Sequence, residues 1–444
     1  MVGCGAGFSQ DRVGAAVPVV DTLIARRAPA AIIFEMLAER TLAAAHLDRL
    51  DNPDRGYEPT LAAHISPILE KCLANGITIV GNFGAANPKG AAAMLTHLAE
   101  QAGLPAPRIA VIGGDDLSDH AHRQMLREQL GKDFSESRFV CANVYQGAFE
   151  IAEGIRGGAQ IVVTGRVADA SLTLGPAIAH YGWKRDDWDK LAGGTMAGHI
   201  LECGAQVTGG YYADPGPKDV PDLDRVGFPI VEITPEGDSI VTKADDTGGI
   251  VNAMTVKEQL LYEVHDPFDY LTPDVRVDLS DVEIKEVGPD KVLITGVKGR
   301  GRPETLKVNA FFKGGWLGEG EISYAGPNAE ARARLAMDIL RKRLGNRLKL
   351  RFDLIGVTSL FDGDDNDVLA KTPDSGSKDV RLRVAAKDDE LAPIEDLIAE
   401  VVSLWTCGPA GGGGARGFKR SRLSMSSCLI PRDLVPAHCS FYAT

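Results

Sequence analysis

Short apolar runs alternate with amphipathic stretches of helical length from the start of the chain to about residue 205. Each run is only four or five residues long and mostly apolar, as expected of a strand buried on both faces. Regular alternation of such strands with helices predicts βα units and a parallel sheet. The predicted strands are residues 31–34, 77–80, 108–112, 139–142 and 160–163, and examples of the predicted helices are 61–75, 89–101 and 146–157.

The pattern changes after residue 207, where Gly, Pro and Asp become frequent. Beyond this point, strand-like runs follow one another with turn residues between them, which predicts hairpins and an antiparallel meander. The predicted strands are 229–233, 239–243, 282–287, 291–298, 305–313 and 320–325, with turns at 299–303 and 314–315, and the predicted covering helices are 328–344 and 392–405. We therefore predict a mainly parallel, Rossmann-like α/β ligand-binding domain over residues 1–207 and an α+β domain over 208–444.

Ligands of an open parallel sheet bind beyond the carboxyl ends of its strands. The segments in these positions are polar and glycine-rich, and they include Glu35, Asn82, Arg166 and Asp169. Arg166 could hold a carboxylate or phosphate with two parallel hydrogen bonds. Alternatively, Arg166 and Asp169 form a pair that braces the start of the next helix. Both interpretations stay open at this point.

The glycines of the segment from Gly3 to Gly7 resemble a turn after a strand, with only two residues before it. Such a turn lets backbone N–H groups approach an anion, so Gly5 and Gly7 are candidate substrate-binding residues. The spacing differs from the dinucleotide-binding pattern GxGxxG, and ordinary turn glycines are the alternative.

Two pairs of side chains four residues apart are candidates for catalysis. Glu35 and Glu39 could act as paired carboxylates in acid and base catalysis, although such spacing also occurs on a solvated face. His199 and Cys203 would share one face of a predicted helix, with Glu202 between them, as a histidine-assisted thiolate requires. A buried structural cysteine beside a hydrogen-bonded histidine is the alternative.

Composition excludes several classes of protein. The net charge of -13 over 444 residues argues against a nucleic-acid surface. The seven cysteines lack metal-ligand spacing, so no metal site and no disulfide framework is predicted. No stretch has the roughly 20 apolar residues of a membrane span, and the first residues lack the pattern of a signal peptide. We therefore expect a cytoplasmic protein.

Eight sequence segments together resemble the acyclic terpene utilisation (AtuA) family, a family of unknown function, and they span nearly the whole chain. They are GCGAGFSQDR (3–12), FEMLAERT (34–41), NFGAANP (82–88), TGRVADASLTLGP (164–176), GHILECGAQVTGGYYADPG (198–216), VKEQLLYEVHDP (256–267), EGEISYAGP (319–327) and GPAGGGG (408–414). The end of the chain, from residue 428 to 444, carries no recognised motif of the family.

The resemblance implies a role in the breakdown of branched acyclic terpenes, a pathway that proceeds through acyl-CoA thioesters. We accordingly expect a lyase or hydratase acting on a branched-chain carboxylate or acyl-CoA, in which Glu35 or His199 moves a proton and Arg166 holds a carboxylate. The resemblance does not identify a cofactor, and coenzyme A is expected only as part of the substrate. Homo-oligomers are expected of such enzymes. The alternatives are an NAD(P)-linked dehydrogenase and a non-catalytic binding or assembly subunit.

Overall fold

The structure is a computed structural model that describes residues 1–443. The chain forms two compact units. The first consists of Met1–Phe134, Val140–Ala310 and the segment from Ser426 onward, and the second consists of Ser135–Phe139 and Phe311–Met425. The domain boundary predicted at residue 207 lies inside the first unit, because strands on both sides of it belong to one sheet.

A ten-stranded sheet organises the first unit. With strands numbered along the chain, its order is β11-β12-β8-β7-β1-β2-β3-β6-β4-β18. These strands are β1 (Val2–Ala6), β2 (Ala31–Phe34), β3 (Thr78–Gly81), β4 (Ile109–Gly113), β6 (Ile161–Thr164), β7 (Pro229–Ile233), β8 (Ser239–Lys243), β11 (Glu283–Gly288), β12 (Lys291–Thr295) and β18 (His438–Phe441).

The sheet is mixed rather than mainly parallel. Strands β1, β2, β3, β6 and β4 pair in parallel at its centre. The predicted hairpin β7–β8 and then β12 and β11 extend it antiparallel from β1, and β18 closes the other edge against β4. The α/β class is therefore confirmed as a mixed α/β architecture, and the expectation of a mainly parallel sheet is corrected, since strand order is set by distant segments that local patterns do not reveal.

The remaining strands form two smaller sheets. They are β5 (Phe139–Val144), β9 (Tyr270–Leu271), β10 (Arg276–Asp278), β13 (Lys298–Arg300), β14 (Thr305–Ala325), β15 (Arg351–Ile355), β16 (Asp379–Asp388) and β17 (Gly413–Pro431). One antiparallel sheet has the order β13-β10-β9, and the other has the order β15-β16-β14-β17, with β5 paired to β14. Residues 139–142 were predicted as a strand of the parallel sheet, and that placement is wrong because their partner is β14.

The predicted turn at residues 314–315 is also wrong. The segments predicted as two strands, 305–313 and 320–325, belong to the single strand β14. Gly315 has a positive φ of 77°, yet the chain continues from Trp316 to Ala325 in unbroken register with β16. A glycine within a strand allows this local irregularity without reversing the chain.

In the first unit, the order of helices and strands follows the alternation predicted from the sequence. The two units together contain the following helices. They are α1 (Ala16–Arg26), α2 (Glu39–Asp51), α3 (Leu61–Ile65), α4 (Leu69–Ala74), α5 (Pro88–Gln101), α6 (His120–Leu130), α7 (Phe149–Arg156), α8 (Ser171–Tyr181), α9 (Trp188–Glu202), α10 (Ala253–Leu261), α11 (Ala329–Leu344), α12 (Asp367–Lys371) and α13 (Ala392–Cys407). No helix within residues 1–443 combines the length and the apolar character needed to traverse a bilayer.

Local sequence explains where some of these helices begin. Asn87 accepts a hydrogen bond from the backbone N–H of Gly90 at 3.0 Å, and Pro88 is the first residue of α5. Asparagine at the cap and proline at the first position are the preferred residues for starting a helix. The segment after β3, residues 82–87, therefore leads directly into α5.

Each unit has a hydrophobic core of its own. In the first unit, apolar side chains of the central strands pack against α1, α5, α7, α8 and α9. In the second unit, α11 and α13 cover one face of β14, β15 and β16. The opposite face of this second sheet carries charged side chains such as Glu319 and Arg383, which form an ion pair at 3.0 Å.

The glycine-rich start is strand β1, so the predicted turn there is wrong. The glycines allow close packing. A Cβ on Gly5 would approach the ring of Phe34 to less than 3.0 Å, and one on Gly7 would lie equally close to the backbone of Cys203 and Gly204. These contacts explain small residues at both positions without an anion-binding loop.

We predict that Gly7→Ala destabilises the chain because the added methyl group would overlap backbone atoms, which move less readily than a side chain. Overpacking of this kind costs about 1–3 kcal/mol of unfolding free energy. Urea unfolding followed by circular dichroism measures it. The matched control is Gly301→Ala, where a Cβ would meet nothing within 4 Å; equal midpoints for the two variants would contradict the packing argument.

Candidate functional site

Glu35 and Asn82 meet at the carboxyl ends of β2 and β3. The amide nitrogen Nδ2 of Asn82 donates to Oε1 of Glu35 at 2.9 Å, and its Oδ1 accepts from the backbone N–H of Met36 at 2.7 Å. Oε1 of Glu35 also accepts from the N–H of Leu37 at 3.0 Å. Burial raises the pKa of Glu35, while the nearby Arg166 and the hydrogen bond from Asn82 oppose that shift.

The guanidinium of Arg166 is buried beyond the end of β6, with 2% of the residue exposed. Its Nε and Nη2 donate to the carbonyl of Val167 at 2.8 and 2.6 Å, and it also donates to the carbonyl of Leu37 and to Asp169. The ring of Tyr145 lies against it, 4.6 Å from the guanidinium carbon to the ring centroid. These donors are engaged within the protein, as in the alternative that Arg166 and Asp169 brace the chain.

Asp115 and Asn143 extend this network from the ends of β4 and β5. Oδ2 of Asp115 accepts from the backbone N–H of Arg166 at 2.8 Å and from Nδ2 of Asn143 at 3.0 Å. Oδ1 of Asn143 in turn lies 2.9 Å from Nε2 of His46. Burial raises the pKa of Asp115 to about 6, although both hydrogen bonds to it oppose the shift.

The second part of the site is the end of α9, a helix buried on all sides from Leu191 to Glu202. Such burial requires close approach of neighbouring backbones. A Cβ on Gly198 would lie less than 3.0 Å from the carbonyl oxygen of Ala170, so only glycine allows α9 to pack this tightly against the start of α8. This approach places the end of α9 near the chain segment that carries Asp169.

His199 and Glu202 form a buried pair, with Nδ1 of His199 2.8 Å from Oε1 of Glu202. Burial lowers the pKa of His199, but the charge of Glu202 and their hydrogen bond outweigh it, so the net shift is upward. Within residues 1–443, Nε2 of His199 has no hydrogen-bond partner. The imidazole can therefore stabilise a charged Glu202 through Nδ1, and its Nε2 is still available for a hydrogen bond.

Cys203 follows this pair without being activated by it. The imidazole Nδ1 faces Glu202, and burial raises the pKa of the Cys203 thiol to about 12, a shift to which the charge of Glu202 adds. The thiol therefore stays protonated near neutral pH. The hypothesis of a His199-assisted thiolate nucleophile loses its physical basis, since a thiolate is the reactive form.

A cavity of about 380 Å³ lies beside the His199–Glu202 pair, entirely within the first unit. Its ionisable wall residues, apart from tyrosines, are Asp169, Glu202, Glu263, His265 and Lys307. Carboxylates thus outnumber lysine in the wall. The rings of Tyr145 and Tyr270 also line it, so that the cavity combines apolar surface with acid and base groups.

Tyr270 connects the cavity with His199. Its ring centroid lies 5.8 Å from that of His199 and 6.0 Å from that of His265. Tyr145 also lines the cavity, and its hydroxyl donates to Glu39 at 2.7 Å. Glu39 is therefore held by Tyr145.

The predicted pair of Glu35 and Glu39 is not a pair on one helix face, because α2 begins only at Glu39. Burial raises the pKa of Glu35, and the carboxylate whose charge adds to this shift is Glu202, which comes from a distant part of the sequence.

Gly5 and Gly7 do not line this cavity. Gly5 packs against Phe34, and the N–H of Gly7 donates to Oδ2 of Asp11 at 2.8 Å. Gly7 and Cys203 instead border a separate, more open space of about 400 Å³. Of the predicted residues, Asp169 alone lines the first cavity directly, while Glu35, Asn82, Arg166 and His199 lie behind its wall.

Sequence reasoning did not select several residues of the site: Tyr145, Glu263, His265, Tyr270 and Lys307. Tyr145 directly follows β5, so the rule of strand ends could have found it. His265 lies in the segment VKEQLLYEVHDP, which carries the family resemblance. Lys307 comes from the start of β14, and nothing local indicates that this strand reaches the cavity.

No group of three or more His, Cys, Asp or Glu side chains placed to hold a metal ion occurs in residues 1–443.

A model of one protein family, described as acyclic terpene utilisation family protein AtuA, matches residues 1–441. The chain belongs to the AtuA family. The match confirms the resemblance carried by the eight segments, and it extends over the end of the chain, where no family motif was recognised. No curated protein and no solved structure matches the chain.

For this AtuA family member we predict a pH dependence of stability that comes from Asp115. Its pKa is about 6 in the folded chain and ordinarily 3.8, so the folded state binds the proton more tightly. The resulting stabilisation is fully present below the lower value and is lost as pH rises through about 6. Relative to Asp115→Asn, the parent should lose about 2–3 kcal/mol of unfolding free energy between pH 4 and pH 7.

Urea unfolding of both proteins at several pH values tests this, with Asp48→Asn at an exposed position as the control for loss of one negative charge. A constant difference between the parent and Asp115→Asn across this pH range would be inconsistent with a raised pKa.

Proposed function

We propose that the chain is an enzyme of the lyase or hydratase type that acts on a branched-chain carboxylate or its acyl-CoA thioester. One observation carries the proposal. Glu202 lies in the wall of a cavity and is hydrogen-bonded to the buried His199 at 2.8 Å; behind that wall, burial raises the pKa of Glu35, a shift to which the charge of Glu202 adds. Environments that push the pKa values of neighbouring carboxyl groups apart are typical of acid and base catalysis.

Both reaction types need one base and one acid. In hydration, the carboxylate of Glu202 takes a proton from water as the water oxygen bonds to the β-carbon of an enoyl thioester, and the carboxyl group so formed gives a proton to the α-carbon. In cleavage, Glu202 takes the proton of a β-hydroxyl group, the bond between the α- and β-carbons breaks as the β-carbon becomes a carbonyl carbon, and the protonated Glu202 gives a proton to the α-carbon of the released thioester. His199 holds Glu202 in place and supports its negative charge.

The predicted residues have supporting roles in this proposal. Asn82 and Arg166 are positioning residues, because they fix Glu35 and the loops at the strand ends. Asp169 is a wall residue that can contact the substrate. Cys203 has no covalent role, and Gly5 and Gly7 serve close packing.

The size and the lining of the cavity support an acyl group as the reacting part. Small-molecule sites typically measure roughly 300–1,000 Å³, and a volume of about 380 Å³ suits a branched acyl chain. The name of the family, acyclic terpene utilisation, is consistent with branched substrates. Association of the chain into homo-oligomers stays a prediction.

Nothing favours the dehydrogenase alternative, since the glycine turn that suggested it is the strand β1. The alternative of a non-catalytic subunit becomes an outcome of the activity test.

We expect Glu202→Gln to lower kcat by about 10²–10⁴-fold, as loss of a general base does, because the amide keeps the shape but cannot accept the proton. The parent is first assayed with branched enoyl-CoA and 3-hydroxyacyl-CoA thioesters and with the free acids, using mass spectrometry of products. Glu258→Gln, which removes an exposed partner of Lys218, is the matched control and should retain full activity.

Comparable turnover by Glu202→Gln and the parent would eliminate Glu202 as the base. A parent that converts none of these compounds, while remaining folded, would favour the non-catalytic alternative.

A further inference from the structure

Two arginines, Arg302 and Arg432, lie next to residues of the cavity wall, and a third, Arg185, is close enough to Arg432 for its charge to act on it. They come from distant parts of the chain but belong to the same compact unit. Nε of Arg432 donates to the carbonyl of Pro303 at 2.9 Å, and its Nη2 donates to the carbonyl of Pro273 at 2.6 Å. Pro273 and Pro303 both line the cavity, so Arg432 is fastened to the cavity rim.

The other two arginines lie near Arg432. Arg302 directly precedes Pro303, and its guanidinium makes no hydrogen bond or ion pair with any described residue in 1–443. Arg185 stacks on the ring of Phe149 at 4.0 Å and pairs loosely with Glu150 at 3.4 Å. Glu150 is near Ala148, whose N–H donates to Asp274, the residue that follows Pro273. Arg185 thus lies on a segment that is tied, through Asp274, to the part of the chain that carries Pro273.

The cluster retains positive charge that the protein itself does not fully pair. Its own neighbours include the carboxyl groups of Glu150 and Asp274, and burial raises the pKa of Asp274 to about 6. The pKa of Arg432 is lowered by burial and then by the positive charge of Arg302. The positive charges of these arginines repel one another, so an anion bound between them is expected to be stabilising.

The cavity and its rim thus differ in charge. Carboxylates predominate in the wall, which disfavours a free carboxylate beside Glu202 but accepts an uncharged thioester. Arginines predominate at the rim, and their planar donors match phosphate oxygens. A ligand that is neutral at one end and carries phosphates at the other satisfies both regions.

We propose that Arg185, Arg302 and Arg432 bind the phosphates of coenzyme A, so that the substrate is an acyl-CoA thioester whose acyl group enters the cavity. This inference rests on the proposed function and decides between its two substrate forms. The arginines make no bond to the reacting carbons and affect the binding of the substrate.

Calorimetric titration of the full-length chain tests the site directly, with coenzyme A, pantetheine and ADP as separate probes. Coenzyme A should bind more tightly than ADP, which has the diphosphate but neither the 3′-phosphate nor the pantetheine arm, and pantetheine should bind weakly. Arg302→Gln should weaken coenzyme A binding by about tenfold or more, as loss of one charge-assisted hydrogen bond implies. It should leave pantetheine binding unchanged.

Arg302 is the variant of choice because it has no internal partner whose loss could unfold the chain. Arg432→Lys is the second variant, and Arg225→Gln, at an exposed arginine paired with Asp222, is the matched control. Coenzyme A binding that equals the parent's in both Arg302→Gln and Arg432→Lys would overturn the inference. So would the absence of coenzyme A binding by the parent, or ADP binding as tight as that of coenzyme A.

Binding and turnover separate the two proposals. Conversion of a free branched acid by a parent that does not bind coenzyme A would remove this inference and leave the proposed function intact. Arginine-dependent binding of coenzyme A together with full activity of Glu202→Gln would support the phosphate site and remove the assignment of the base.

Discussion

The buried guanidinium of Arg166 holds the ligand-facing end of the central sheet together. Removing a charge from water is costly, and it is tolerated only where hydrogen bonds and an opposite charge compensate. Here the carbonyls of Leu37 and Val167, the carboxylate of Asp169 and the face of Tyr145 provide that compensation. Because these groups follow different strands, satisfying one cation fixes the loops after β2, β5 and β6 relative to one another.

This constraint explains the chemistry of the neighbouring carboxyl groups. Glu35 and Asp115 are both buried close to Arg166. The charge of Arg166 acts on Glu35, and the backbone N–H of Arg166 donates a hydrogen bond to Asp115. Burial raises the pKa of each, so proton affinity near the strand ends is set by the fold. Glu202 is the last residue of α9, and Gly198 allows this helix to pack closely against Ala170, next to the loop after β6.

The sequence predicted the features that depend on local patterns. Apolar runs gave the central strands, and turn residues gave the hairpin of β7 and β8 with its observed bounds. The rule of strand ends brought attention to Glu35, Asn82, Arg166 and Asp169, which the structure does place near one another. The pairing of β5 with β14, the joining of β12 to β8 and the position of Lys307 depend on contacts between distant segments, for which no local signal exists.

Candidate pairs chosen by spacing in the sequence fared less well, for a physical reason. Glu35 and Glu39 are separated by the start of a helix, and Cys203 lies beyond the residue that His199 contacts. A separation of four residues brings side chains together only where both are inside one continuous helix. The relevant partner of Glu35 is Glu202, which comes from a different helix and a distant part of the sequence.

The edge strand β18 has a consequence for how the protein forms during synthesis. The sheet includes β1 from residue 2 at its centre and β18 up to residue 441 at its edge, and the whole second unit is inserted before the closing strand is made. Until the ribosome has released the last of these residues, β4 presents an unpaired edge. Open edges invite pairing with other chains, so we expect the nascent protein to be exposed to such pairing until β18 covers β4.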